Sequence, residues 1–298
     1  MTGYADLHLH TVASDGTQSL DELVRRAKAH ALSSIAVTDH DVVSEELTGR
    51  VAARGGVEVI TGVEVKSTFE GVAGEILGYF VDPSSPSLRA MLDGLKASRV
   101  DRMQRMVDLC REHAGIEITF GEVRAIAAGN LGRPHLARLL MEKGIVGSFE
   151  EAFGDWIGKG CPCYWSIDKP DYHEVLRVLH EAGGVASLAH PCLMKVADWE
   201  AFLDELAESG LDGIEVFYPY APSNGIGRSL SVNPRRMQRM AEARGFLLTG
   251  GSDDHGPNST KESLGSIRVP YERVQALKER LAEDGSRGLE LSDPSPGV

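Results

Sequence analysis

Cysteine is scarce in this chain. Among 298 residues there are four, at positions 110, 161, 163 and 192, too few for a disulfide-stapled secreted scaffold. Only Cys161 and Cys163 are neighbours in sequence. Their C-x-C spacing is too tight for a relaxed disulfide, and no second cysteine pair completes a zinc site around them. Long apolar runs are missing as well: no segment approaches the roughly 20 residues that span a bilayer. The first residues, Met1 to Asp6, have neither the basic stretch nor the apolar core of a signal peptide. A reduced, cytoplasmic protein is therefore expected. Positive charge is in deficit, with 31 Lys+Arg against 44 Asp+Glu and a formal net charge of −13. That excludes a protein whose main task is gripping duplex nucleic acid. It does not exclude a phosphorylated substrate, because bound cations can reverse a local field. What is present is ordinary: 42% hydrophobic and 25% charged residues, enough to bury a core. The length fits one large domain or one domain with an insertion.

The first 80 residues alternate apolar strand runs with helical patterns. Strands are expected over 4–10, 34–38, 57–65 and 75–81. Ser19 and Glu22 have capping-box spacing and open a helix to about residue 31. A second helix is expected over 44–54, ended by Gly55 and Gly56. Alternation at this spacing implies parallel βαβ units. The texture changes after Asp82-Pro83-Ser84-Ser85-Pro86. A long charged helix is expected over 88–113. Capping boxes at Thr119/Glu122 and Ser148/Glu151 open two more, and Pro134 starts another. No strand is expected between 87 and 160. The αβ rhythm resumes at Asp171. The expected division is residues 1–85 as the first part of a barrel, 86–170 as a helical insertion, 171–284 as the second part, and 285–298 as a disordered tail.

The densest chemical signal is Asp6-Leu7-His8-Leu9-His10. In a strand, side chains at i and i+2 share a face, so His8 and His10 can bind one ion. Asp15 follows in Ser14-Asp15-Gly16. His40 lies in Thr38-Asp39-His40-Asp41, Glu64 in Gly62-Val63-Glu64, His190 in Ala189-His190-Pro191, and Asp253 and His255 in Ser252-Asp253-Asp254-His255. Each follows or closes an apolar strand run, where parallel αβ sheets gather ligands. Mixed His/carboxylate ligation suits Mn2+, Fe2+ or Zn2+ better than Mg2+ or Ca2+. Eight ligands are too many for one ion and natural for two bridged by a carboxylate.

Together these motifs resemble the PHP family (polymerase and histidinol phosphatase). The resemblance spans residues 5 to about 270. It implies an α/β fold, a distorted (β/α)7 barrel with an inserted, mainly helical cap. It further implies a metal centre at the C-terminal ends of the strands, with His8, His10, Glu64 and Asp253 on one ion and Asp15, His40, His190 and His255 on a second. Many relatives with three ions carry a His where this chain has Glu75, so two tight ions are expected, with a third site weak or empty.

Within the insertion, the segment from Gly132 to Arg138 and that from Ile157 to Gly160 are similar to the cap of stand-alone members. Those members act on AMP, on 3′,5′-bisphosphonucleotides or on short RNAs. Arg133 precedes Pro134 at a helix start, where a guanidinium and helix N–H groups make a phosphate site. His135 is a candidate phosphate ligand or leaving-group acid. Lys195, beyond a ligand strand, and Lys159, in a Gly-rich loop, are weaker phosphate candidates. Arg99, Arg102 and Arg105 have the spacing of a solvated helix face.

The leading expectation is an enzyme that hydrolyses a phosphate monoester of a small nucleotide by attack of a metal-bridging hydroxide. The acidic balance disfavours long duplexes, and no membrane partner is expected. A 5′–3′ exonuclease on short single strands shares the same centre, and a histidinol-phosphate-type phosphatase remains within the family. An amidohydrolase also uses H-x-H, but Asp15, His40 and the Asp253/His255 pair fit it poorly. A non-catalytic metal domain fits poorly with so complete a ligand set.

Overall fold

A computed structural model describes residues 3–220 and 230–283; the tail expected at 285–298 lies outside them. The described strands are β1 (Tyr4–Leu9), β2 (Leu32–Val37), β3 (Val51–Arg54), β4 (Val57–Phe69), β5 (Val72–Tyr79), β6 (Val185–Leu188), β7 (Gly213–Phe217), β8 (Leu247–Gly250) and β9 (Val269–Pro270). One sheet runs in the order β8-β7-β6-β5-β4-β2-β1-β9, with β3 beside β4. β1, β2 and β4 are parallel, as are β6, β7 and β8. β5 is antiparallel to both its neighbours. The sheet curls until the segment after β8 meets β1. Asp253 donates its N–H to His8 O (2.9 Å), and His10 donates to Asp254 O (3.0 Å). Gly251 permits this approach, because a Cβ there would lie 2.4 Å from His8 N. The result is the expected distorted seven-stranded αβ barrel.

The helices outside it follow from amphipathic patterning and capping. α1 (Leu20–Ala29) opens on the Ser19/Glu22 box and buries Leu20, Leu23, Val24 and Ala27. α6 (Tyr172–Glu181), α7 (Trp199–Glu208) and α8 (Pro234–Ala243) are capped by Asp171, Asp198 and Asn233. α9 (Tyr271–Glu283) closes the described chain.

Between β5 and α6 the described chain forms helices and no strand. These are α2 (Pro86–Ala114), α3 (Phe120–Ile126), α4 (Arg133–Glu142) and α5 (Phe149–Glu151), which continues as a π-helical turn to Trp156. They bury a core of their own, including Met103, Met106, Val123, Leu136, Leu140 and Ile157. α2 joins the two cores: Leu88 and Leu95 pack into the barrel cluster, whereas Met103 to Cys110 pack among the inserted helices.

Several expectations change. Residues 44–54 form no helix. The segment ends in β3, which pairs with β4 through a two-residue turn at Gly55 (φ +58°) and Gly56 (φ +85°). A hairpin of this kind needs positive φ at both turn positions, so the glycines turn a strand rather than stop a helix. β4 does not end at Val65; it runs on to Phe69 and forms a hairpin with β5. β5 is therefore reversed, and its first residues lie at the end of the barrel where its neighbours finish. β9 is only two residues long.

Candidate metal centre

Strand alternation places Leu7 and Leu9 toward the helices and His8 and His10 toward the barrel mouth. Both imidazoles are buried. His40 and Glu64 face each other in a parallel bridge just past β2. His190 follows β6 and starts a short 3₁₀ turn. Asp253 and His255 follow β8. Glu75 arrives because β5 is reversed, and lies opposite Lys66 across the hairpin. Asp41 (φ 52°), His190 (φ 30°) and Asp253 (φ 56°) occupy left-handed backbone despite their side chains. Each such residue costs about 1–3 kcal/mol. Bonds from the surrounding structure hold them there: Asp41 N–H to Glu64 O (2.9 Å), Asp253 N–H to His8 O (2.9 Å) and His190 N–H to Glu215 Oε2 (2.7 Å).

The donor atoms converge. His8 Nε2 lies 3.3 Å, His10 Nε2 3.4 Å and His40 Nδ1 2.8 Å from Glu64 Oε2. Asp253 Oδ1 is 3.2 Å from His10 Nε2. Asp15 Oδ1 is 3.5 Å from His255 Nε2 and 3.9 Å from His40 Nε2. Adjacent donors on a tetrahedral sphere of radius about 2.1 Å stand roughly 3.4 Å apart, which is the spacing seen here. His8 Nε2, His10 Nε2, Asp15 Oδ1, His40 Nδ1, Glu64 Oε2 and Asp253 Oδ1 are all buried and make no hydrogen bond. Unpartnered buried polar atoms are costly and rare, and six aimed at one volume fit metal ligands. Three groups could each hold an ion: His10, Asp15, His40 and His255; His8, His10 and Glu64; and His40, Glu64 and Glu75. None includes a cysteine. His190 does not join Asp15 and His255, as the resemblance implied; its Nε2 points to Glu64 Oε1 (3.0 Å) and Glu75 Oε2 (3.2 Å).

Electrostatics reflect this crowding. Burial, with His255 and His40 nearby, pushes the His10 ring down to about 3. Burial opposes charge on His8 too, but Glu215, Glu64 and Asp253 hold it well above the usual imidazole range. Hydrogen bonds to Glu64 and Glu75 overcome burial at His190 and raise it to about 9.

Partners that sequence reading missed orient these ligands. Glu215 Oε1 accepts from His8 Nδ1 (3.0 Å), which leaves Nε2 free to ligate. Tyr218 OH (2.8 Å) and Lys261 Nζ (2.6 Å) both donate to Asp253 Oδ2, which leaves Oδ1 for the centre. Asp39 accepts from Thr11 N (2.8 Å) and Ser14 Oγ (2.5 Å), fixing the loop that carries Asp15. A signal existed for Glu215: it is a single carboxylate inside a buried apolar strand, Gly213-Ile-Glu-Val-Phe217.

The inserted helices add cations. Arg99 and Arg102 are not a solvated face: they are 3% and 7% exposed. Arg99 is bound to Asp41, with Nε 2.7 Å from Oδ2, and also donates to Leu131 O (3.1 Å). Arg102 Nε is buried with no hydrogen-bond partner. Burial, then Arg99 and Arg133, lowers it to about 10. Only Arg105 stays half-exposed, over the exposed Trp165 ring (5.5 Å). Arg133 lies over Phe153 (5.1 Å) and Tyr164 (5.6 Å). Lys169 feels Lys66, Glu75, Lys159 and Arg102. His135 is buried, and its Nδ1 accepts from Gly132 N–H (3.0 Å), which places the ring proton on Nε2. Burial lowers its pKa. Lys159 and Lys195 are exposed, and Lys195 makes no hydrogen bond or ion pair with the described residues.

Comparison with known proteins agrees with this geometry. The PHP domain model matches residues 6–183. The chain is 36% identical over 192 residues to a 5′–3′ exoribonuclease of Haemophilus influenzae, covering 64% of this chain and 70% of that protein. It is 29% identical over 265 residues to a 3′,5′-nucleoside bisphosphate phosphatase of Chromobacterium violaceum, covering 87% and 90%. A solved structure of a proposed metal-dependent phosphoesterase of Bifidobacterium adolescentis superposes with a TM-score of 0.79 at 29% identity, covering 96% of this chain and 97% of that one.

Proposed function

The chain belongs to the PHP family and is a metal-dependent hydrolase of phosphate esters; we propose that its substrate is a phosphate monoester of a small nucleotide, of the AMP or 3′,5′-bisphosphonucleotide type. The observation that carries this reading is Arg102. A buried guanidinium near Arg99 and Arg133, with Nε unpartnered and no carboxylate paired to it among the described residues, is an unmet demand for an anion.

His8, His10, Asp15, His40, Glu64, His190, Asp253 and His255 are proposed to hold two divalent ions such as Mn2+, Fe2+ or Zn2+. When bound, these supply Lewis-acid activation of water and of the phosphoryl oxygens. The Glu75 group is proposed as a weak third site, because the Lys66 ammonium already sits on Glu75 Oε1 and would have to leave. Asp253 is held to one coordinating oxygen by Tyr218 and Lys261. Arg133 and Arg102 orient the substrate's anionic oxygens, and their fixed charge favours the spread charge of phosphoryl transfer. His135 offers its Nε2–H to a phosphate or leaving oxygen. Residues 86–170 are proposed to act as a cap over the barrel parts 1–85 and 171–284. The same ligands serve a 5′–3′ exonuclease on short strands, a reading favoured by the half-exposed Arg105 and exposed Trp165 beyond Arg102.

Phosphate release from AMP and a 3′,5′-bisphosphonucleotide, compared between wild type and Arg102→Met, tests the substrate. Loss of a charge-assisted hydrogen bond costs about 1.5–3 kcal/mol, so KM for the bisphosphonucleotide should rise about tenfold or more. The melting temperature should hold or rise, since a buried charge is removed. An unchanged KM would refute the assignment of Arg102.

A further inference from the structure

A cavity of about 340 Å³ opens against Asp15, His40 and His255, within the roughly 300–1,000 Å³ of small-ligand sites. Its walls come from two parts of the chain. Arg138, Phe149 and Phe153 belong to the inserted helices, and Lys261 to the loop after β8. Arg133 and Arg138 both lie on α4, five residues apart. They project about 140° apart; Arg138 lines this cavity, and Arg133 lies over the Phe153 ring of its wall (5.1 Å). Arg138 is half-buried and makes no hydrogen bond or ion pair with the described residues. Lys261 adds a second positive charge, held by Asp253 (2.6 Å). Glu150, on the rim, is exposed and forms no ion pair with either. Phe149 and Phe153 are half-buried and line the cavity, and aromatic faces of this kind stack nucleobases regardless of sequence.

We propose that this cavity is a second nucleotide subsite: Phe149 and Phe153 receive the nucleoside attached to the scissile phosphate, and Arg138, with Lys261, receives a further phosphate carried by that nucleoside. The inference rests on the nucleotide reading above and extends it. The scissile phosphate at the converged donors and a further phosphate at Arg138 are then held at once. That further phosphate is either the second ester of a bisphosphonucleotide or the next link of a short 5′-phosphorylated strand.

Three substrates separate these sources: AMP, a 3′,5′-bisphosphonucleotide and a 5′-phosphorylated dinucleotide, each assayed with wild type, Arg138→Ala and Arg138→Lys. Arg138→Ala should raise KM about tenfold for whichever of the latter two places a phosphate in the cavity, with kcat little changed. KM for AMP should move less than threefold, and Arg138→Lys should recover part of the loss. The affected substrate identifies the source. Equal KM changes for all three substrates, or none for any, would overturn the proposal. If wild type hydrolyses none of the three, it is the nucleotide reading that fails. A melting curve of each variant separates misfolding from lost binding.

Discussion

At the scale of single residues, the centre is a set of buried donors that the protein alone cannot satisfy. Six of them make no hydrogen bond, and their burial would be destabilising without an ion. His190, raised to about 9 by its bonds to Glu64 and Glu75, holds a proton at neutral pH in the metal-free protein. An ion needs that lone pair, so loading must release a proton. Metal affinity should therefore climb from pH 7 through pH 9. Calorimetry at pH 7 in buffers of different ionisation enthalpy should show proton release on Mn2+ binding. Heats independent of the buffer would contradict the assignment. The residues that converge were legible in the sequence because each follows or lies in an apolar strand run, and H-x-H announces a shared face. Their orienting partners were not: Glu215 meets His8 across 207 residues and Arg99 meets Asp41 across 58. No local pattern encodes such pairs. Arg102 looked solvated because i, i+3 spacing marks a helix face without saying which face is covered.

Among the elements, α2 carries the most information. Its first half packs on the barrel and its second half on the inserted helices. Between them Arg99 is bound to Asp41, the residue after His40. Breaking a buried ion pair from one side leaves an uncompensated charge and costs about 3–5 kcal/mol. Arg99→Met should accordingly lower the melting temperature sharply. Adding Asp41→Asn should restore much of the loss, which a thermal double-mutant cycle would read. A double variant no more stable than Arg99→Met would show that the pair is not what holds α2 down. β5 explains why the barrel itself was only partly legible. Its apolar pattern predicted a strand, but periodicity is the same for either direction. Only the Phe69 to Val72 turn, which reverses the chain, brings Glu75 and Lys66 to the mouth. The error over 44–54 has the same origin. Helix-forming residues precede two glycines, and the partner strand that decides the matter follows them.

For the molecule as a whole, the acidic balance of −13 is unevenly spent. Asp15, Glu64, Glu75 and Asp253 crowd the mouth of the barrel, and the helices between β5 and β6 carry Arg99, bound to Asp41, and Arg138, in the cavity against Asp15. With the proposed ions bound, the cleft would be cationic inside an acidic protein, in keeping with the small anionic substrate proposed above. No described helix is long and apolar enough to cross a membrane. Titration shows whether these buried donors hold the ions on which phosphate-ester hydrolysis depends. Phosphate release from a 3′,5′-bisphosphonucleotide would be followed as Mn2+ is added to chelator-stripped protein. Turnover should start near zero, rise with added metal and break at about two equivalents. Full turnover in the stripped protein, or none at saturating metal, would contradict that dependence.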